Sequence, residues 1–162
     1  MESAEEHAPA PGDARPVVLL IDDDEFVAKL IARFLGDGAD VTWAGTGANA
    51  VQRISERDWD AIVVDIELPD ISGLELLGIV RRERPLAATM MLSSHSGPEY
   101  AARAIGAGAD RYQVKPVGPE EIRTRIAELV ALTESRRAGA PDPGHELHAR
   151  KLRGRRREPE DR

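Results

Sequence analysis

Three apolar runs in this chain end on charged side chains. The runs read VVLLI, AIVV and YQV, and the charged residues that follow them are Asp22, Asp23, Asp24, Asp65 and Lys115. If the runs are neighbouring strands of one parallel sheet, the acids and the amine converge at one edge of that sheet. This pattern predicts a site that binds a divalent cation and accepts a phosphoryl group.

The chemistry of such a site follows from charge. Carboxylates held close together repel one another, and a hard cation relieves the repulsion. Mg²⁺ prefers one or two carboxylates together with water and phosphate oxygens, so Asp22, Asp23 and Asp65 are the predicted ligands. An aspartate can also attack phosphorus as a nucleophile. The Lys115 ammonium would neutralise charge there, and the Ser93 hydroxyl would donate to a phosphoryl oxygen.

The overall composition limits the possible classes of protein. The chain has 162 residues, of which 41% are hydrophobic and 31% charged, and it has no cysteine. These values predict a soluble protein with one ordinary domain and no disulfide or thiolate metal site. We expect no signal peptide in MESAEEHAPAPGDARP and no membrane span, since a run of about 18 apolar residues is missing. A cytoplasmic protein without membrane insertion is therefore expected.

The charge is divided unevenly along the chain. Residues 1–135 carry a net charge of −11, whereas residues 136–162 carry +4. We expect a disordered acidic arm over residues 1–15, a folded domain over 16–135, and a basic, disordered tail from 136 onwards. The tail motif ARKLRGRRR lacks an aromatic or base-reading element, so specific nucleic-acid binding is not expected. The alternative is that the tail binds nucleic acid or an acidic partner non-specifically.

Short β-type runs alternate with helical patterns along the folded part. The predicted strands are 17–21, 40–44, 61–65, 89–92 and 111–114. Five strands that alternate with five helices indicate βαβ units and a parallel sheet covered by helices on both faces. The runs VVLLI and AIVV are apolar enough for the buried centre of that sheet.

The first and last helices carry signals of their own. Asp24 directly precedes a helical pattern, so it is predicted to be a helix N-cap rather than a cation ligand. A helix is predicted to follow, because its apolar residues recur at helical spacing: Phe26, Val27, Leu30, Ile31 and Phe34. The last helix is predicted to start near Pro119 and to continue to about Ser135.

Four motifs in order resemble one known family. LLIDDDE, VVDIELPDISGLELL, MMLSSHS and GAGADRYQVKP are similar to the motifs of the receiver domain of bacterial two-component response regulators. The resemblance covers about residues 16–135. It implies the flavodoxin-like doubly wound α/β fold, with a five-stranded parallel sheet in the order 2-1-3-4-5 and five helices. It also implies a signalling protein that catalyses only its own phosphoryl transfer and slow autodephosphorylation, not an enzyme acting on other substrates.

The resemblance implies a role for each acid. Asp65 would be the phosphoacceptor, which attacks the phosphohistidine of a sensor histidine kinase or a histidine phosphotransfer protein. Asp22 and Asp23 would hold Mg²⁺, or Mn²⁺ in its place, together with Asp65 and the backbone carbonyl of Glu67.

The resemblance also implies roles for residues of the later motifs. Lys115 would neutralise phosphoryl charge, and its peptide bond to Pro116 would be cis, as in many relatives. Ser93 would bind the phosphoryl group, and Tyr112 would be the aromatic switch that moves inward with it. His95 lies at a position that modulates dephosphorylation, but a solvated loop residue is the preferred interpretation of that histidine.

The resemblance does not indicate which downstream process the phosphorylated protein would control. No DNA-binding or enzymatic domain is recognised, so we expect a single-domain regulator that acts by phosphorylation-dependent docking to a downstream protein. The last helix and the strand 111–114 form the expected docking face, which a homodimer could also use. A nucleic-acid-associated regulator that uses the basic tail, or a phosphorelay shuttle, are the alternatives.

Overall fold

A computed structural model of the protein describes residues 14–140. The strands are β1 Val17–Ile21, β2 Asp40–Ala44, β3 Ala61–Asp65, β4 Ala88–Ser93 and β5 Arg111–Val114. The helices are α1 Glu25–Leu35, α2 Gly47–Glu56, α3 Gly73–Glu83, α4 Pro98–Gly106 and α5 Pro119–Arg137, with a 3-10 turn at Gly36–Gly38. Nearly all of the predicted arm and tail therefore lies outside the described residues.

The five strands form one parallel sheet in the order β2-β1-β3-β4-β5. Alternate residues of β1 point into two separate hydrophobic cores. Leu19 and Ile21 pack with α2 and α3 on one face, and Val18 and Leu20 pack with α1 and α5 on the other. The predicted doubly wound α/β fold and its strand order are confirmed, and both faces of the central strands are buried, as their composition predicts.

Strand β4 is longer than the predicted strand 89–92. It begins at Ala88, which pairs with Ala61, and ends at Ser93, which pairs with Val114. Alanine and serine have little intrinsic preference for strands, so the pairing with β3 and β5 decides these two positions.

The predicted cap of α1 is confirmed, but not every apolar residue at helical spacing in this helix is buried. The carboxylate of Asp24 accepts hydrogen bonds from the amides of Phe26, at 2.9 Å, and Val27, at 3.3 Å. Phe26 is 73% exposed, and it is the last of four consecutive exposed residues, 23–26. The fully buried residues of α1 are Ala28, Ile31 and Leu35.

Helix α5 continues to Arg137, two residues beyond the boundary predicted for the folded part. Both basic residues at its end make ion pairs with the body of the fold. Arg136 Nη2 contacts Asp110 Oδ1 at 2.5 Å, and Arg137 Nη1 contacts Asp60 Oδ1 at 2.6 Å. These two arginines therefore belong to the folded domain and not to the basic tail. None of the helices within residues 14–140 is long and apolar enough to cross a membrane.

One buried hydroxyl connects α5 to the sheet. Thr133 is fully buried. Its Oγ1 accepts a hydrogen bond from the amide of Ala88 at 2.8 Å and donates one to the carbonyl of Asp60 at 2.7 Å. The hydroxyl thus satisfies backbone groups at the starts of β3 and β4, which holds α5 in register with both strands.

We predict that Thr133→Val lowers the free energy of unfolding by about 1–3 kcal/mol, because the change keeps the shape of the side chain but leaves two buried backbone groups without this partner. Urea denaturation measures the effect. Thr124→Val is the matched control, since Thr124 lies exposed on the same helix, and its cost should stay within about 0.5 kcal/mol. Equal effects of the two substitutions would contradict the assigned role of Thr133.

Candidate functional site

The register of the sheet brings the predicted site residues to one edge. Ile21 of β1 pairs with Val64 of β3, so Asp22 and Asp65 follow side by side. Lys115 follows β5, and its amide donates a 2.8 Å hydrogen bond to the carbonyl of Ser93 at the end of β4. All four side-chain positions therefore lie at the carboxyl ends of parallel strands, where ligand crevices form in open α/β sheets.

Lys115 joins the two buried acids. Its Nζ lies 2.7 Å from Asp22 Oδ2 and 3.2 Å from Asp65 Oδ2. Asp22 is fully buried, and Asp65 is only 6% exposed. The Lys115–Pro116 peptide bond is cis, the form that the resemblance implies.

Burial and charge act on these groups in opposite directions. Burial raises the pKa of Asp65 above its ordinary value of 3.8, although the amide of Glu67 and the charge of Lys115 work against the rise. Burial also disfavours the charged form of Lys115, but the hydrogen bond and charge of Asp22 and the charge of Asp65 outweigh it and raise the lysine pKa above 10.5. Lys115 therefore carries a positive charge at neutral pH, and it lies next to two buried carboxyl groups.

The acids can also hold a cation. Carboxylate oxygens of Asp22, Asp23 and Asp65 all lie within 4.8 Å of one another. Asp22 Oδ1 accepts from the amide of Asp24 at 2.9 Å and Asp65 Oδ1 from the amide of Glu67 at 3.1 Å, so backbone hydrogen bonds orient both buried carboxylates. Such an all-oxygen donor set suits a hard divalent cation. The role of the Glu67 carbonyl as a ligand stays a prediction.

Ser93 and Tyr112 are linked through the backbone of His95. The Ser93 hydroxyl is buried and accepts a hydrogen bond from the His95 amide at 3.1 Å. The Tyr112 hydroxyl donates to the His95 carbonyl at 2.6 Å. The two predicted switch residues therefore share one peptide segment, the loop between β4 and α4.

His95 lies in a loop, as expected, with 39% of its side chain exposed, and its role in dephosphorylation stays a prediction. Its Nε2 lies 2.7 Å from Glu67 Oε1, and its ring stacks on Tyr100 with centroids 4.3 Å apart. The half-buried imidazole thus joins the loop that follows Asp65 and β3 to the loop that follows β4. The carboxylate of Glu67 has a partner in this position, which the sequence pattern did not indicate.

Sequence reasoning missed a contact made by Trp43. This residue was predicted only as part of strand 40–44, yet its indole Nε1 donates a 2.8 Å hydrogen bond to the carbonyl of Asp22. The signal available in the sequence was a tryptophan one position before the end of a strand, since the indole N–H usually finds an acceptor.

The comparison with known proteins decides the family. The family model described as the response regulator receiver domain matches residues 18–127. The chain belongs to the response regulator receiver domain family. The receiver domain predicted from the four motifs is thereby confirmed.

Known receiver proteins are similar to this chain in sequence and in structure. The probable transcriptional regulatory protein TcrX of Mycobacterium tuberculosis is 33% identical over 123 residues, which are 75% of this chain and 53% of TcrX. A CheY-like receiver domain protein from Methanospirillum hungatei JF-1 superimposes with a TM-score of 0.71 at 28% identity, covering 76% of this chain and 99% of that one.

A third relative is a response regulator protein from Burkholderia pseudomallei, whose structure contains a phosphorylated aspartic acid, a calcium ion and citrate. It has a TM-score of 0.62 at 30% identity, covering 72% of this chain and 71% of that one. The chain spans about half or less of the length of the curated relatives that it matches.

The loop that follows β3 is anchored at both ends. Asp70 Oδ1 accepts from the amide of Gly47 at 2.7 Å and Oδ2 from that of Ala48 at 2.9 Å, so the carboxylate caps the first turn of α2. These hydrogen bonds hold the pKa of Asp70 below its ordinary value of 3.8. At the other end, Gly73 packs so closely that a Cβ would collide with the carbonyl oxygen of Asp65.

We predict that Asp70→Asn lowers the melting temperature of the receiver domain at neutral pH, because a neutral amide caps α2 less well than a carboxylate. A carboxyl whose folded pKa is depressed stabilises the fold above its unfolded pKa of 3.8, and this stability is lost as the pH falls through the lower folded pKa. The difference from wild type should therefore shrink below that pH. Thermal melts from neutral to acid pH measure it.

The control for that experiment is Asp37→Asn. Asp37 has a fully exposed side chain that lies 3.8 Å from Arg15, so its substitution should change the melting temperature little at any pH. A deficit in Asp70→Asn that is the same at every pH would refute the proposed cap.

Proposed function

We propose that this receiver domain accepts a phosphoryl group on Asp65 in a Mg²⁺-dependent reaction, as a cytoplasmic member of a two-component system. The observation that carries the proposal is the buried Asp65 carboxylate, paired with Lys115 at 3.2 Å and clustered with two more carboxylates within 4.8 Å. The phosphorylated aspartic acid and the calcium ion of the Burkholderia pseudomallei relative support it. The phosphodonor is a histidine kinase or a histidine phosphotransfer protein.

The chain's own residues supply nucleophile and orientation. A carboxylate oxygen of Asp65 attacks phosphorus, a new O–P bond forms, and the P–N bond of the donor phosphohistidine breaks with its electron pair returning to the imidazole. The Glu67 amide and the Lys115 ammonium orient the carboxylate. Asp22, Asp23 and Asp65 would hold Mg²⁺, which would supply positive charge to the phosphoryl oxygens when bound. The domain catalyses only this transfer and its own slow dephosphorylation.

Dephosphorylation requires water to reach the aspartyl phosphate. The hydrogen bond between His95 and Glu67 joins the two loops that border Asp65. We extend the proposal to His95, which modulates the dephosphorylation rate by holding those loops together.

The face near Phe26 is the proposed contact for the phosphodonor. Phe26 is the most exposed large apolar side chain in the described residues, and it lies two positions after Asp24, beside the acidic cluster. An apolar contact there would hold a partner protein while its phosphohistidine enters the site.

The output is docking of a partner protein or of a second copy of this chain. Ser93, His95 and Tyr112 connect the acceptor site to β5, so a phosphoryl group that draws the Ser93 hydroxyl changes the hydrogen bonds of the His95 loop. The surface beside Tyr112 carries a charge network in which Arg111 and Arg125 both pair with Glu128. A phosphorelay shuttle would use the same acceptor. The nucleic-acid alternative depends on tail residues outside those described.

We predict that Mg²⁺ and acetyl phosphate add one acid-stable, hydroxylamine-labile phosphoryl group to the full chain, and that Asp65→Asn takes up none because it lacks the nucleophile. Intact mass spectrometry measures the product, and chelation of Mg²⁺ should abolish it. Asp37→Asn loses one carboxylate on the turn after α1 and should be labelled like wild type. Full labelling of Asp65→Asn would overturn Asp65 as the acceptor.

We predict that beryllofluoride with Mg²⁺ changes amide hydrogen exchange in the loop at 94–97 and in β5, because a phosphoryl mimic on Asp65 competes for the Ser93 hydroxyl. Hydrogen-exchange mass spectrometry of the full chain measures the change, and α2 serves as the internal reference. Asp65→Asn should show no response, and Tyr112→Phe should show a reduced response in β5. A wild-type response confined to the metal site would contradict the proposed switch.

A further inference from the structure

The indole of Trp43 lies against the peptide that joins two of the acids. Trp43 belongs to β2, the edge strand beside β1, and its ring is only partly covered, with 41% of the residue exposed. Its one polar atom, Nε1, donates a 2.8 Å hydrogen bond to the carbonyl of Asp22. A large exposed aromatic on an edge strand gains little from burial, so this polar contact is its distinctive interaction.

The position of the ring is determined by the residue that follows β2. A Cβ on Gly45 would lie 3.0 Å from the Cζ2 atom of Trp43, which is closer than an ordinary carbon contact. The absence of a side chain at Gly45 thus leaves room for the indole to reach across to β1.

The hydrogen bond acts on Asp23 through the planar peptide bond. The carbonyl of Asp22 and the amide nitrogen of Asp23 belong to one rigid unit, so an anchored oxygen orients the start of Asp23. Asp22 has further anchors of its own, because its amide donates to Ala44 at 3.1 Å and its carboxylate binds Lys115 and the Asp24 amide.

Asp23 differs from the other two acids of the cluster. It is exposed, and within residues 14–140 its carboxylate has no hydrogen bond or ion pair. Its place beside Asp22 and Asp65 therefore depends on its backbone. The Asp22 carboxylate holds that backbone at the Asp24 amide, and Trp43 holds it at the Asp22–Asp23 peptide.

We propose that Trp43 is a positioning residue for the cation site: its indole anchors the Asp22–Asp23 peptide and so presents the Asp23 carboxylate to the cation. The inference rests on the proposed function, in which Asp22, Asp23 and Asp65 hold Mg²⁺. Without the hydrogen bond from Trp43, Asp23 must become ordered when the cation binds. The free energy of Mg²⁺ binding is then less favourable by about the contribution of one hydrogen bond.

The test is calorimetric titration of Mg²⁺ into the full chain. Trp43→Phe keeps an aromatic ring but removes the N–H donor, and we expect it to bind Mg²⁺ about three- to tenfold more weakly than wild type. Trp59→Phe is the matched control, because the Trp59 indole also donates to a backbone carbonyl, that of Arg53 at 3.1 Å, but packs in the core cluster on one face of the sheet. It should keep wild-type Mg²⁺ affinity.

Three further tests separate positioning from folding. Urea denaturation compares the stability of both variants, and a folded Trp43→Phe with wild-type Mg²⁺ affinity overturns the proposal. Gly45→Ala, which displaces the ring without removing the donor, should also weaken Mg²⁺ binding. In the Trp59→Phe background, Mg²⁺ should change the fluorescence of Trp43, and the absence of any change would count against contact between the indole and the site.

The Asp23→Asn variant distinguishes a failure of the proposed cation site from a failure of the role proposed for Trp43. If wild type binds no Mg²⁺, or if Asp23→Asn binds as tightly as wild type, the proposed cation site fails. If Asp23→Asn binds weakly while Trp43→Phe binds normally, the cation site stands and only the role of Trp43 is refuted.

Discussion

The structure depends on one ionic constraint, the neutralisation of two buried carboxylates by a lysine from another strand. Asp22 and Asp65 lie at the ends of adjacent strands, and their burial would be costly without the ammonium of Lys115 at 2.7 and 3.2 Å. The single positive charge does not balance all the acids in the cluster. The arrangement therefore leaves the site with more carboxyl groups than positive charges, which suits the proposed binding of a cation and then of a phosphoryl group.

The rest of the fold holds the carboxyl edge of the sheet in place around that ion pair. At the opposite edge, Thr133 and Arg137 tie α5 to the starts of the strands through Asp60 and Ala88. At the site itself, side chains connect the loops to one another, as the pair of His95 and Glu67 does. The buried core and the hydrogen bonds between the loops of the site fit the two-state switch that we propose for this domain.

Local sequence patterns predicted most of the fold, because helices and strands depend on the composition of a segment and on the spacing of its apolar residues. The strands, the parallel sheet covered on both faces, the Asp24 cap and the convergence of the charged residues all followed from apolar runs and their end residues. The doubly wound strand order came from the family resemblance. The failures have physical causes. Phe26 matches the helical period of α1 but lies in a turn that projects past the core, and Ser93 belongs to β4 only because β5 pairs with it. Periodicity records which side of a helix is apolar and not how far the core extends.

The sequence by itself determined which side chains could do chemistry and at which edge of the sheet they would meet. Only the tertiary structure decided their partners: Lys115 with Asp22, His95 with Glu67, and the Trp43 indole with the carbonyl before Asp23. The first of these contacts joins residues 93 positions apart. Contacts at such separations depend on strand register and loop geometry, which all the packed elements set together, whereas a short segment of sequence specifies only its own conformation and polarity.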